Sequence, residues 1–75
     1  MPKPKVEMIP VESSNIRAIG YVDDIEQLHI DFLSGTRWVY HGVPAEVHEF
    51  FLAAPSQGRF FSQHIKGRYQ GAKQE

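Results

Sequence analysis

Cysteine is absent from this 75-residue chain. That excludes disulfides, thiolate metal sites and thiol nucleophiles, and it leaves packing alone to hold the fold together. Long apolar runs are missing as well. No stretch approaches the roughly 18 apolar residues of a membrane span, and Met1-Pro2-Lys3-Pro4-Lys5 is followed by no apolar signal segment. A soluble, unexported, cytoplasmic protein is the expectation. Carboxylates are lacking between Ser56 and Gln74, whereas Asp23, Asp24, Glu26, Asp31, Glu46 and Glu49 sit mid-chain. The formal net charge of -1 thus conceals a C-terminal segment carrying Arg59, Lys66, Arg68 and Lys73, able to form a local positive face.

The patterns that announce chemistry are missing too. His29, His41, His48 and His64 include no i, i+4 pair and no HExxH-type spacing, so no metal site is expected. Ser13, Ser14 and Ser56 lie in no nucleophile-elbow context, and Gly20, Gly35 and Gly58 build no phosphate-binding loop. No catalytic residue and no cofactor follow, and an enzyme is the least supported class.

What is present is a continuous block, Leu28-His29-Ile30-Asp31-Phe32-Leu33-Ser34-Gly35-Thr36-Arg37-Trp38-Val39-Tyr40. Two period-2 runs flank a glycine turn, the pattern of a β-hairpin with one face toward the core. Two registers are open. A two-residue Ser34-Gly35 loop pairs Ile30 with Val39 and leaves Trp38 and Tyr40 beside Asp31 and His29 on the wet face, but it asks for positive φ at Ser34. A type I turn over Leu33-Ser34 with Gly35 as the left-handed bulge residue pairs Ile30 with Trp38 and Leu28 with Tyr40, turning both aromatics to the core. The second asks nothing unusual of Ser34 and is favoured. A preceding strand is expected at residues 16–22, with a short piece at 9–12, and Asp23-Asp24 ends it with turn chemistry.

Helices follow the strands. Pro44 suits the first helical position, Glu46 and Glu49 favour that end of the dipole, and Val47, Phe50, Phe51 and Ala54 form an inner stripe stopped by Pro55. Ser56 can cap a second helix with Phe60, Phe61, His64 and Ile65 inside, Arg59, Gln63 and Lys66 outside, and Gly67 as terminator. The expected architecture is α+β: a three-stranded antiparallel β-meander followed by two α-helices packed on one face. One domain at residues 9–70 lies between a flexible tail at 1–8 and a C-terminal tail at 71–75.

Ser13-Ser14-Asn15-Ile16, Ile19-Gly20-Tyr21, Leu28-x-Ile30-x-Phe32, Gly35, an aromatic-x-aromatic pair, Val43-Pro44, Ala54-x-Ser56-x-Gly58 and Phe60-Phe61 through Tyr69 occur in that order. In this the chain resembles the KTSC domain family, over residues 11–69. The family is named for its place at the C-terminus of some lysyl-tRNA synthetases and also occurs as small stand-alone bacterial proteins. The resemblance implies a meander with C-terminal helices and, through the synthetase fusion, RNA binding. The family's tyrosine-x-tyrosine motif corresponds to Trp38-Val39-Tyr40, with the first aromatic changed. The family brings no catalytic residues.

Aromatics beside cations make platforms for single-stranded nucleic acid, because rings stack on bases and Lys or Arg meets phosphates. The candidates are Arg37, Trp38, Tyr40, Arg59, Lys66, Arg68 and Tyr69, with Arg59, Lys66 and Arg68 as phosphate contacts. Against this stands the plain reading that Trp38, Tyr40, Phe60 and Phe61 are the core of a small domain. The alternative function is a protein-binding or self-association module that uses an exposed strand edge or the second helix.

Overall fold

In the computed structural model, which describes residues 6–74, five strands form one antiparallel sheet. They are β1 (Met8–Pro10), β2 (Ile16–Val22), β3 (Gln27–Phe32), β4 (Arg37–His41) and β5 (Gln70–Gln74), ordered β1-β2-β3-β4-β5. The three expected strands form the centre, and the sheet is two strands wider than the sequence suggested. Met8 and residues 71–74, read as tails, belong to the two edge strands; the tail expected at residues 1–5 and at 75 lies outside the described residues. Between β4 and β5 come α1 (Ala45–Ala53), α2 (Gln57–Phe60) and a π-helical turn (Phe61–Ile65).

The central hairpin takes the bulged register. Ile30 pairs with Trp38 and Leu28 with Tyr40; the Gly35 N–H donates to the Phe32 carbonyl, and Gly35 has φ +95°, a conformation most side chains resist. The rule that cross-strand partners share a face then places Ile19, Tyr21, Leu28, Ile30, Trp38 and Tyr40 on the helix side. Ile16 joins them although it is three residues from Ile19. A bulge between Ile16 and Ala18 inserts Arg17 and shifts the phase.

Both helical segments cover that side, and Ile16, Ile19, Leu28, Ile30, Tyr40, Val43, Phe51 and Ile65 form the buried cluster. The inner stripe of α1 differs from expectation. His48 stacks on Tyr21 at a ring separation of 4.7 Å, so Val47, His48, Phe51 and Leu52 turn inward and Phe50 is left 63% exposed. Pro44 is the residue flanking α1 rather than its first helical position. The Ser56 side chain accepts from the Arg59 N–H as a cap, and Gly67 follows the π turn at φ +80°. His64 is exposed, because the wider π winding carries it past the core. No helix among the described residues is long and apolar enough to cross a membrane.

Acid should weaken this fold. Burial pulls the His48 imidazole below its ordinary 6.5, opposed by Glu49. Burial does the same to His29, aided by the nearby Arg37 charge. The unfolded chain therefore binds protons that the folded one resists, so this stability is full above about pH 6.5 and is lost as pH falls toward the lowered folded values. The Arg37 hydrogen bond holds the Asp31 carboxyl below 3.8, a contribution full above that value and lost on further acidification through the folded value. The thermal midpoint is expected to fall between pH 7.5 and 5.5. His48→Phe, which keeps the stack and removes a buried Nε2 with no hydrogen-bond partner, should flatten the fall; an unchanged slope would assign the loss elsewhere.

Candidate functional site

The helices do not cover the whole sheet. Near the turn between β3 and β4 a cup of about 450 Å³ remains open on the helix side, lined by Phe32, Thr36, Trp38, Tyr40, Phe61, Lys66, Gly67, Tyr69 and Gly71. The backbone builds it in three steps. Period-2 alternation along β4 delivers Thr36, Trp38 and Tyr40 to one face. The π turn, in which the Lys66 N–H donates to the Phe61 carbonyl, sets Phe61 and Lys66 on one side of that turn. A tight reversal, with the Tyr69 N–H donating to the Ile65 carbonyl, brings Tyr69 back to the rim before β5 starts.

Aromatic rings form most of the wall. Phe61 stands edge-on to Phe32 at 5.3 Å and to Tyr40 at 5.6 Å, and Trp38 lies nearly parallel to Tyr40 at 6.2 Å. These offset and edge-to-face arrangements hold the rings without closing the cup. Tyr40 is buried, and that burial raises its phenol pKa. Trp38 is only half-buried. The bulged register and a partly accessible aromatic thus coexist: the pair faces the helix side, and Trp38 packs against the core cluster without being fully covered.

Four of the expected site residues, Trp38, Tyr40, Lys66 and Tyr69, come together here. Arg37 does not. It sits on the opposite face, its guanidinium donating through both Nε and Nη2 to Asp31. Arg59 lines a separate shallow cavity with Ala54, Pro55 and His64, and the Arg68 Nε donates to the Gln63 carbonyl. Phe32 and Phe61, expected from the sequence only as core residues, line the cup as well, and the place of Lys73, expected only as one of the C-terminal cations, was not foreseen. Lys73 pairs with Trp38 across β4 and β5 and therefore shares its face; only the unexpected fifth strand reveals this. Among the described residues no carboxylate lines the cup.

The histidines are dispersed. On the face opposite the helices, the Gln27 amide bridges His29 and His41. Among the described residues no group of three or more His, Asp or Glu is placed to hold a metal ion.

A five-stranded antiparallel meander, closed on one side by two short helical segments and opened there by an aromatic cup, defines a small α+β domain. The chain belongs to the KTSC domain family, whose model matches residues 12–69. A crystal structure of a KTSC domain protein from Yersinia pestis superposes with a TM-score of 0.92 at 39% identity, covering 95% of this chain and all of that one. A protein of Tsukamurella paurometabola is 47% identical over 64 residues, covering 84% of this chain and 94% of that protein. A lysine–tRNA ligase of Nostoc punctiforme is 35% identical over 63 residues, 84% of this chain but only 11% of the ligase. The domain thus occurs both in small stand-alone proteins and within lysine–tRNA ligases.

Proposed function

We propose that this protein binds single-stranded RNA by taking a base into the aromatic cup. The observation that carries the reading is the half-buried Trp38 in a cup that Lys66 lines and, among the described residues, no carboxylate enters, with Lys73 as its cross-strand neighbour. Every base has a flat face that stacks on such rings, and a cation at the rim meets the phosphate. The lysine–tRNA ligases that carry a similar segment supply further support.

The basic residues are then unequal. Lys66→Ala should weaken binding of a short single-stranded RNA by about tenfold, the lower end for a charged hydrogen bond. The slope of log affinity against log salt should shrink by about 0.7, as expected for one phosphate contact on a single strand. Arg59→Ala should change neither, because Arg59 lines another surface. Filter binding at several salt concentrations separates the two. Equal losses in both variants would replace the cup by diffuse attraction to the C-terminal segment.

A further inference from the structure

The cup has a neighbour. A second cavity of about 370 Å³ opens beside it, and the two share Phe32, Phe61 and Lys66 as a common wall. The chemistry changes across that wall. On the cup side lie Trp38 and Tyr69; on the other, Ser14, Asn15 and Ser62 supply hydroxyl and amide groups. Asn15 presents its amide at the Gly58 edge, 3.3 Å from where a Cβ on Gly58 would stand. Among the described residues neither cavity is lined by a carboxylate, and Lys66 is the charged side chain common to both.

From this juxtaposition we infer that the site takes two successive nucleotides of a single strand, with the first base in the aromatic cup, the linking phosphodiester at Lys66, and the second nucleoside in the polar cavity. The inference rests on the proposed function and deepens it. A mononucleotide fills one half only. Each cavity lies toward the small end of the range for ligand sites, so a ligand larger than one nucleoside has to use both. An anion suits the place where the halves meet, because the exposed Lys66 ammonium group is the charged side chain there and, among the described residues, no carboxylate in either wall competes for it. A sugar and a base edge suit the second half, since both are donor and acceptor rich and the 2′-hydroxyl is both at once.

The test compares the dinucleotide ApA with 3′-AMP by NMR titration of the whole chain. ApA should bind at least about fivefold more tightly, the gain expected from one further hydrogen bond of about 1 kcal/mol in the polar cavity, although 3′-AMP carries the more highly charged phosphate. The Asn15 and Ser62 amide signals should shift with ApA and not with 3′-AMP. Ser62 is exposed, so Ser62→Phe can block the second cavity at the cost of one exposed hydrogen bond, that from the Ser62 hydroxyl to the Gly58 carbonyl, and its melting curve is recorded beside the titration to show that it is folded. It should abolish the ApA advantage and leave 3′-AMP affinity unchanged. Asn15→Ala is the second variant, which removes an amide without adding bulk and should shrink the same advantage. Equal affinity for the two ligands, or an ApA advantage that survives both variants, overturns the two-nucleotide site and leaves the single-base cup standing. No shift around Trp38 with either ligand overturns both.

Discussion

Phe51→Ala should bring this domain close to unfolding. Phe51 is fully buried and stacks on Phe60 at 5.4 Å, and truncating such a ring costs about 3–5 kcal/mol through lost transfer energy and the cavity left behind. Stability of about 0.05–0.15 kcal/mol per residue gives roughly 4–11 kcal/mol for a chain of this length. The substitution therefore removes from about a quarter of the total to all of it. With an m value of about 1–1.5 kcal/mol per M, the urea midpoint should drop by roughly 2 M or more. Phe50→Ala is the matched control, one residue away and mostly exposed, and should stay within about 0.5 kcal/mol of wild type. Comparable losses in the two variants would mean that α1 is rotated so that Phe50 also faces the sheet.

Gly71→Ala should detach the fifth strand. A Cβ at Gly71 would stand 2.3 Å from Tyr40 Cε1, 2.6 Å from Cδ1 and 2.8 Å from Cζ. These are atoms of a buried ring held by Phe61, so the obstacle cannot swing aside as a flexible side-chain end does. Overpacking of this kind costs about 1–3 kcal/mol or more. β5 is an edge strand paired only with β4, and moving it away relieves the clash most cheaply. Amide exchange across residues 70–74 should therefore accelerate, and RNA affinity should fall because β5 carries Lys73 and part of the cup wall. Gly20 offers the contrast. There a Cβ would first meet Met8 Sδ and Val6 Cγ1, atoms of movable side chains, so Gly20→Ala should disturb the sheet less. Unchanged exchange at β5 in Gly71→Ala would contradict the packing described here.

The hairpin was legible because Gly35 falls where one turn type needs a left-handed residue and the flanking runs alternate cleanly. The Ser56 cap was legible for a similar local reason. β5 was not, since Gln70-Gly71-Ala72-Lys73-Gln74 holds no β-branched or aromatic residue; its strand character comes from pairing with β4 and from the room Gly71 leaves for Tyr40. The phase of β2 was hidden by the Arg17 bulge, which puts Ile16 and Ile19 on one face against strict alternation. Phe50 fitted an inward stripe until the Tyr21–His48 stack fixed the rotation of α1. The site was half visible on the same grounds. Trp38, Tyr40, Lys66 and Tyr69 stood out by type, whereas the separation of Arg37 and Arg59 from them depends on sheet face and helix placement, which composition does not encode.

The most direct measurement is the fluorescence of Trp38, the chain's single tryptophan, during titration with a short single-stranded RNA at low and at moderate salt. A base stacking in the cup should quench the emission saturably at low salt, and added salt should reverse the quenching as phosphate contacts are lost. Emission that stays constant at low salt while RNA is in large excess would contradict base binding in the cup, and the protein-docking reading would then take its place.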